Sequence, residues 1–541
     1  MPQSSQADLF SEIGIDSIGF YAPTYYVSLK ELAQARNIKP EKFEEGLMVQ
    51  EMRVPDVGED IVTMSIKAAQ NALIRGNIKA EEIDAVFVGT ETITYAVKSI
   101  SNILAEILGV SPNCLTQDIY NACAGATLAI LNAIGLIENG VIQKALVIGA
   151  DISSYPLNSP GEPTQGAGSV AFILSRNPRI ATFSKKFGKV SGNVNDFFRP
   201  AGEKDAQVFG KYSVDSYMNF QLRAFDNLSQ NLGKFRADYY VFHAPFSKLP
   251  VKFLQKLIAE RSEHFIEHAL NWEFKPPRSR LSSQLPSIRY SVKHFPSLIT
   301  NILLKHGFSR QAIIKLLKTA SELKHYFFPQ LEVPMHFGNM YSASVWAQII
   351  YLFEKSARPN DIFYFGSYGS GATCISGLIK IQPQIFQVVN IGPKIDHFLH
   401  NKKKYSIKEY ERIHMGLGTP NFYIGRIEKY SADDNRGIYL HFCDEGCLIP
   451  NISGLNQCPQ GHPGNHRVFY PLYAKLVSDL VEEPQKRNYT FINHGQVRII
   501  GKPQKGAKLE YNMRRVSAPM DQISAKGLLN WIPTYQPADF D

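Results

Sequence analysis

Short apolar strands alternate with amphipathic helices along residues 10–180, and this alternation restricts the possible folds more than any other feature of the chain. Segments 84–89, 115–120 and 145–149 have the length and apolar content of buried strands, and helical periodicity fills the stretches between them. A βαβ alternation of this kind predicts a mainly parallel or mixed sheet that is covered by helices.

A second series of elements of similar order follows later in the chain. The predicted strands and helices of this series lie at 239–243, 249–264, 341–354, 362–365 and 373–381. Two such series indicate a duplicated α/β core, although the sequence repeat between them is faint. Residues 274–330 are basic, contain proline and are locally helical, which predicts a helical insertion.

The length of 541 residues is too great for one hydrophobic core. The pattern predicts an N-terminal half at 10–180, a C-terminal half at 181–440 and a β-rich extension of unassigned role at 441–541. The net charge of +9 leans towards 275–325 and the extension, but no nucleic-acid motif accompanies it. Attraction of an anionic substrate, such as one that carries phosphates, explains the charge as economically.

The number of cysteines and the hydropathy of the chain indicate the cellular compartment in which the protein is expected. Six cysteines in 541 residues are no disulfide framework, and the N-terminus lacks the charged and apolar regions of a signal peptide. No apolar run approaches the ~20 residues that span a bilayer. We therefore expect a cytoplasmic protein without a membrane or nucleic acid as partner.

The segment Asn-Ala-Cys-Ala-Gly-Ala-Thr, residues 121–127, places Cys123 between a predicted strand and a predicted helix at 123–138. A thiol at a helix N-terminus experiences the positive end of the helix dipole, which favours the thiolate. The small neighbouring residues leave room for an acyl group beside the sulfur. This pattern predicts a nucleophile for acyl transfer, and the alternative for the segment alone is a buried structural cysteine.

Two further candidates lie where predicted strands end. Glu91 follows the strand at 84–89, where the crevice of an open α/β sheet forms, and a buried carboxylate there can abstract a proton. The alternative is a solvated loop acid. His243 ends the strand at 239–243, and Lys248 after it favours an anion-binding site over a structural histidine.

Two turns complete the set of candidates. Asn339 opens the helix that runs to Glu354, where its alternative role is that of an N-cap. Residues 368–371, Tyr-Gly-Ser-Gly, form a tight turn after a strand and could aim backbone N–H groups at a developing oxyanion. Each signal is weak alone, and together they indicate a site for acyl transfer.

Over roughly residues 12–440 the chain resembles the 3-hydroxy-3-methylglutaryl-CoA (HMG-CoA) synthase family of the thiolase superfamily. The matching motifs occur in the family's order and are GFYAP (19–23), EDIVTM (59–64), NAC (121–123), GEPTQGAG (161–168), DFFRP (196–200), GKYS (210–213), FH (242–243), GNMY (338–341) and SYGSG (367–371). The resemblance implies a thiolase-like duplicated core in αβαβα layers.

The resemblance also implies an acyltransferase reaction with CoA thioesters and no cofactor. Cys123 would take the acetyl group of acetyl-CoA as a thioester, and Glu91 would remove a proton from its methyl group. His243 would position the ketone of acetoacetyl-CoA, and water would then release HMG-CoA, an intermediate of isoprenoid synthesis by the mevalonate pathway. A homodimer and a partner thiolase are further implications.

Residues that match supporting or substrate-binding positions of the family are Asp151, Asp196, Lys248, Lys252, Asn339, Tyr368 and Ser370. The two lysines would lie near the phosphates and pantetheine of CoA, where an ammonium group is a useful point charge. One departure from the family pattern is Ala124, since many members carry an aromatic residue directly after the nucleophile. The insertion and the extension are two more.

Three alternatives remain open at this point. A polyketide-type relative would act on β-ketoacyl groups bound to a carrier protein, but Lys248, Lys252 and the GKYS motif fit the CoA form better. A ketoacyl synthase of the other superfamily branch would not be expected to show Glu91 with the GEPTQGAG motif. A non-catalytic binding protein with a decayed site is disfavoured because Glu91, Cys123 and His243 are all intact.

The extension contains a group of potential metal ligands, which are Cys443, Cys447, Cys458, His462 and His466. A C-x3-C pair followed by C-x3-H could hold tetrahedral zinc. The spacing fits no tight zinc signature, so the sequence favours unpaired thiols in a loop-rich β segment, and no metal site is predicted.

Overall fold

The structure, a computed structural model, describes residues 9–261, 263–265, 329–417, 422–432, 435–444, 449, 457–458, 461–483, 496–515 and 531–538. The predicted insertion at 274–330 lies outside the described residues, except for its last two positions. Within the described ranges, no helix has both the length and the apolar character that a membrane crossing requires.

The elements of the two halves follow one another in chain order. The first half contains β1 (Phe10–Tyr21), β2 (Tyr25–Ser28), α1 (Leu29–Ala35), α2 (Glu41–Glu44), β3 (Glu51–Arg53), α3 (Ile61–Gly76), β4 (Ala85–Gly89), α4 (Ile100–Leu108), β5 (Leu115–Ile119), α5 (Gly125–Glu138), β6 (Ala145–Ile152) and β7 (Ala167–Arg176). The second half contains β8 (Ala181–Ser184), β9 (Gly188–Ser191), β10 (Phe197–Phe198), β11 (Gln207–Val208), α6 (Gly210–Leu232), β12 (Tyr239–Phe242), α7 (Lys248–Glu260), α8 (Glu332–Phe337), α9 (Ser344–Lys355), β13 (Ile362–Gly369), β14 (Thr373–Ile381), α10 (Phe386–Val389), α11 (Ile395–His400), β15 (Lys403–Lys404) and α12 (Ile407–His414).

Both halves build the same arrangement of four strands. In the first half the order is β4-β6-β7-β1, with β4 and β6 parallel and the other neighbours antiparallel. In the second half β12-β13-β14-β8 repeats this order and these directions. Strand β1 pairs with β8, so the two halves meet edge to edge in one ten-stranded sheet. The predicted duplication is therefore confirmed.

Helices α5 and α9 occupy equivalent positions in the two halves and pack against each other. The indole N–H of Trp346 on α9 donates to Thr127 Oγ1 on α5 at 2.9 Å, and that hydroxyl donates to Ser367 Oγ on β13 at 2.8 Å. Helix α9 also contacts strands of both halves, whereas α3 lies on β1 and β7 and α6 on β9 and β14. The predicted thiolase-like duplicated α/β class is confirmed.

Helix α3 has clear start and stop signals. Asp60 is its N-cap and accepts from the backbone N–H of Thr63 at 3.0 Å, while Thr63 Oγ1 accepts from the N–H of Asp60 at 2.9 Å. This reciprocal pair is a capping box. The helix ends at Asn77, whose left-handed backbone (φ 50°) stops the helical hydrogen bonding.

The extension is rich in β structure, as predicted, but it begins earlier than residue 441. Its elements are β16 (Phe422–Lys429), β17 (Gly437–Phe442), β18 (His466–Pro471), β19 (Tyr473–Leu476), β20 (Val481–Glu482), β21 (Gln496–Ile500), β22 (Lys508–Arg515) and β23 (Trp531–Pro537). Strand β16 pairs with β19, β20 and β21. Strand β22 pairs with β19 and β23, and β23 also pairs with β21, so these strands form one closed sheet. The boundary therefore lies between 417 and 422, because β16 has its partners in the extension.

Strands β17 and β18 form a separate antiparallel hairpin. Beyond its end the thiols of Cys443 and Cys458 and the imidazole of His462 lie together. The fold thus brings these three residues together from separate parts of the sequence. Cys447 lies outside the described residues.

Candidate active site

The loop between β5 and α5 carries Cys123. Helix α5 begins at Gly125 with Ala124 as its N-cap, two residues later than the sequence predicts. Ala122 has a positive φ of 44°, a conformation that is rare for a residue with a side chain. Backbone strain of this kind clusters at functional sites, and here it directly precedes the predicted nucleophile.

Two glycines let the strand ends approach this loop. A Cβ atom on Gly89 at the end of β4 would lie 2.1 Å from the backbone nitrogen of Ala126. A Cβ atom on Gly369 at the end of β13 would lie 2.6 Å from the carbonyl oxygen of Asn121. Both positions therefore require glycine. Because β4 and β13 belong to different halves, Cys123 lies at the junction of the duplicated core.

Cys123 and Glu91 form a buried pair. The thiol donates a hydrogen bond to Glu91 Oε2 at 3.8 Å, and both side chains are more than 90% buried. Burial raises the pKa of the Cys123 thiol, and the carboxylates of Glu91, Asp151 and Asp196 raise it further. The predicted preference for thiolate is therefore wrong for the resting site, because burial and negative neighbours outweigh the helix terminus.

The pKa of Glu91 is also well above its ordinary value. Burial is the largest cause, the negative charge of Asp151 adds to it, and Arg199 opposes it. Arg199 donates an N–H to the backbone carbonyl of Glu91 at 2.5 Å. A carboxyl group with a raised pKa is suited to exchange protons near neutral pH.

Asp151 holds the Glu91 loop in place. Its Oδ1 accepts from the backbone N–H groups of Glu91 at 2.8 Å and Thr92 at 3.0 Å and from the hydroxyls of Thr90 and Thr92. Its Oδ2 accepts from the N–H of Ser342 at 2.9 Å and from its hydroxyl. This fully buried carboxylate thus ties the Glu91 loop to the other half of the core.

Asn339 is buried in the turn that precedes α9. Its Oδ1 accepts from the backbone N–H of Tyr341 and from Ser344 Oγ, both at 3.0 Å, at the start of α9. Tyr341, like Ala122, has a positive φ, here 41°. The N-cap of α9 is Ala343, so the predicted alternative role of Asn339 as the N-cap of this helix is wrong, and its part in substrate binding stays a prediction.

Asp196 organises the turn after β13. It accepts from the Tyr368 hydroxyl at 2.6 Å and from the backbone N–H of Gly371 at 3.0 Å. The N–H of Gly371 is thus occupied by Asp196, and the role of the turn towards an oxyanion stays a prediction. Ser370 is half-buried, and it lines the large cavity described below.

His243 directly follows β12 and is almost fully buried. Burial lowers the pKa of its imidazole to about 3, so the ring is neutral at physiological pH. Its Nδ1 has no hydrogen-bond partner among the described residues. Its backbone N–H donates to Gly366, and its carbonyl accepts from the Tyr217 hydroxyl at 2.7 Å. The Tyr217 ring contacts that of Tyr368 edge to face, which connects His243 to the Asp196 turn.

The large cavity has a volume of about 1670 Å³. Glu91, Asn121 and Ala122 line it, so it reaches the nucleophile loop, and the segment from Arg53 to Glu59 forms another part of its wall. Ordinary ligand pockets measure roughly 300–1,000 Å³, so this cavity accommodates an unusually large ligand.

Lys248 and Lys252 are not among the described residues that line this cavity. Lys248 donates its Nζ to the carbonyl of Glu45 at 2.7 Å. Lys252 is exposed and lines a separate cleft of about 490 Å³ beside α6, together with Lys256. Their predicted role near CoA stays a prediction.

Three aromatic residues that the sequence did not single out, Tyr155, Phe197 and Tyr341, lie together in this site. The rings of Tyr155 and Phe197 lie 6.2 Å apart between centroids, and those of Phe197 and Tyr341 lie 5.7 Å apart. Burial raises the pKa of both tyrosines, and the negative charges of Glu91 and Cys123 raise it further. The DFFRP motif contains both Phe197 and Arg199, so this motif was the sequence feature that could have pointed to these two residues.

The extension backs the cavity wall. Arg514, which is almost fully buried, lies 3.5 Å from Asp56 Oδ2, and the backbone N–H of Arg515 donates to the carbonyl of Gly58 at 2.6 Å. Trp531 donates its indole N–H to Asp60 Oδ2 at 2.9 Å, and its ring contacts Tyr95, which lines the cavity. The extension thus lies directly behind the site, although none of its described residues lines the cavity.

The fold and this site define a thiolase-like enzyme that transfers acyl groups. The model of the hydroxymethylglutaryl-coenzyme A synthase N-terminal domain matches residues 10–178, and the model of the C-terminal domain matches residues 188–417. The chain belongs to the hydroxymethylglutaryl-CoA synthase family. The matches end before β16, which agrees with the boundary in the structure.

Individual relatives carry the same name. A hydroxymethylglutaryl-CoA synthase of Enterococcus faecalis is 36% identical over 253 residues, which are 46% of this chain and 66% of the relative. One of Methanosarcina barkeri is 32% identical over 391 residues, which are 72% of this chain and 93% of the relative.

Solved structures agree in fold. MvaS in complex with 3-hydroxy-3-methylglutaryl coenzyme A matches with a TM-score of 0.60 at 24% identity, over 78% of this chain and 97% of that one. The HMG synthase of the curacin biosynthetic pathway also matches with a TM-score of 0.60, at 20% identity over 85% of this chain and 99% of that one. At these identities the likeness concerns the fold alone.

Proposed function

We propose that the chain condenses acetyl-CoA with acetoacetyl-CoA and water to give HMG-CoA and CoA, as a cytoplasmic step of isoprenoid synthesis by the mevalonate pathway. The observation that carries this proposal is the buried Cys123–Glu91 pair at the edge of a cavity of about 1670 Å³. Family membership and the size of the cavity support a large thioester as substrate. We also propose a homodimer, association with a partner thiolase, and no cofactor besides the CoA thioesters.

The first half-reaction acetylates Cys123. The sulfur attacks the thioester carbonyl of acetyl-CoA, the bond between that carbonyl and the CoA sulfur breaks, and the thiol proton of Cys123 passes to the departing sulfur, so that CoA leaves as the thiol. Burial and the neighbouring carboxylates raise the pKa of the resting thiol, so Cys123 enters this step as the thiol. The product is an acetyl thioester in a buried site.

The second half-reaction forms the carbon–carbon bond. Glu91, as the carboxylate, takes a proton from the acetyl methyl group, which the thioester makes more acidic. The resulting carbon attacks the ketone of acetoacetyl-CoA, and the proton that Glu91 took passes to the alkoxide that forms there. We assign to neutral His243 a hydrogen bond to the same oxygen. Water then hydrolyses the Cys123 thioester and releases HMG-CoA.

The alternative of a polyketide-type enzyme is separated from this proposal by its substrates. We expect the purified chain to convert acetyl-CoA and acetoacetyl-CoA to HMG-CoA at least about tenfold more efficiently, in kcat/KM, than the same acyl groups on a phosphopantetheinylated carrier protein, a difference of about 1.4 kcal/mol. Mass spectrometry of both products makes the comparison. A preference for the carrier protein would favour the alternative, and no product from either pair would favour a non-catalytic protein.

The contact of Trp531 with Asp60 and Tyr95 predicts that the extension shapes the cavity. Trp531→Ala is expected to raise the KM for acetyl-CoA about tenfold, because the wall at 53–59 loses its backing, while the chemical steps are largely retained. Trp531→Phe keeps the ring and is expected to have a smaller effect. Steady-state kinetics on variants with native thermal unfolding checks this, and an unchanged KM in the alanine variant would contradict it.

A further inference from the structure

We propose that Cys443, Cys458 and His462 bind one zinc ion with a structural role. The two thiols and the imidazole offer three ligand atoms, all within 4.8 Å of one another. Cys443 and Cys458 are fifteen positions apart in the chain, so the fold and not the local sequence brings them together. The site lies in the extension, beyond the residues that the family models match.

The distances are those of a tetrahedral metal site. His462 Nδ1 lies 3.7 Å from Cys443 Sγ and 3.6 Å from Cys458 Sγ. With Zn–S bonds of about 2.3 Å and Zn–N bonds of about 2.0–2.1 Å, the edge between a sulfur and a nitrogen of a tetrahedron is about 3.6 Å. Both contacts therefore match the edges of one zinc tetrahedron.

Hydrogen bonding alone does not account for this arrangement. The acceptor nitrogen of a neutral imidazole offers one lone pair in the ring plane, yet two sulfurs lie at nearly equal distances from His462 Nδ1. No disulfide joins the two cysteines to each other, so such a bond does not explain their proximity either. One cation bound by all three groups would satisfy both contacts at once.

Burial favours a metal as well. Cys443 and Cys458 are 0% and 4% exposed, and the side chain packed with them in this cluster is Ile449. Among the described residues, this small cluster has little apolar surface with which to hold its loops. Soft thiolate and imidazole ligands in tetrahedral geometry select zinc among the common cellular metals.

The position of the three ligands at the end of the β17–β18 hairpin indicates a structural role for the ion. Cys443 directly follows β17, and three residues separate His462 from the start of β18. The ion would therefore close the open end of this hairpin. Strand β17 contacts α4 of the catalytic core, and its residues Ile438, Leu440 and Phe442 belong to the main apolar cluster. The ion would thus fix a hairpin that joins the extension to the core.

Metal analysis of the full chain tests the proposal. The protein is produced in zinc-supplemented medium, its affinity tag is removed, and it is passed through a buffer with EDTA before mass-spectrometric metal analysis. About one zinc per chain is expected. Capping the thiols of the unaltered protein with an organomercurial should release this zinc. This experiment does not depend on whether a variant folds.

Matched variants locate the ion. Cys443→Ser and Cys458→Ser are expected to lose at least about nine-tenths of the zinc, because each removes a thiolate ligand. Cys114→Ser, a half-buried cysteine outside the extension, should keep it, and so should His466→Ala, an exposed histidine on the same hairpin. Absence of bound metal in the unaltered protein, iron in place of zinc, or equal zinc in Cys443→Ser would overturn the proposal.

Discussion

Replacing Cys123 with alanine is expected to lower HMG-CoA formation by roughly 10⁴-fold or more, since the nucleophile that carries the acetyl group is lost. Labelled acetyl-CoA alone should leave its label on the peptide that contains Cys123 in the unaltered protein and leave none in the variant. Initial rates with both substrates should show ping-pong kinetics. Peptide mapping after a short incubation is the decisive measurement.

Cys114→Ser is the matched control for this experiment, because Cys114 is a free cysteine that lies just before β5 and takes no part in the site. It should be labelled like the unaltered protein. If the Cys123→Ala protein still carries stoichiometric label, the nucleophile is another residue and the proposed covalent step fails.

The sequence predicted the fold well where hydrophobic periodicity decides it. Strands at 84–89 and 145–149 and the helix after Cys123 agree with the structure to within a few residues. The sheet order could not be predicted in this way, since the pairing of β1 with β8 joins strands that are far apart in sequence. The assignment of β16 to the extension could not be predicted for the same reason, because the sequence of a single strand does not show with which strands it pairs.

The site was predicted in its residue types but not in its electrostatics. Cys123 and Glu91 were both named from the sequence, yet the thiol pKa is raised and not lowered. A helix terminus is visible in a sequence, whereas the enclosure of a thiol among Glu91, Asp151 and Asp196 arises only in the folded chain. The proximity of Cys443, Cys458 and His462 could not be predicted for the same reason, since it arises only when β17 and β18 pair.

Glu91 should separate the two half-reactions. In Glu91→Ala the acetylation of Cys123 is expected to persist, because both the charge of Glu91 and its hydrogen bond raise the thiol pKa, and their removal makes the thiolate easier to form. Carbon–carbon bond formation should fall by about 10²–10⁴-fold, since the base that takes the methyl proton is gone. Rapid-quench measurement of acetyl-enzyme and of HMG-CoA distinguishes the two steps.

The pH dependence follows from the same residue. Glu91 must be ionised to accept the methyl proton, and its pKa is raised by burial and by Asp151, so condensation should decline with falling pH at a higher pH than an ordinary glutamate would cause. Glu203→Gln, which alters an exposed carboxylate on the wall of the same cavity, should leave this acidic limb unchanged. A folded Glu91→Ala protein that no longer acetylates Cys123 would show that Glu91 is indispensable already in the first half-reaction, and the order of proton transfers proposed above would be wrong.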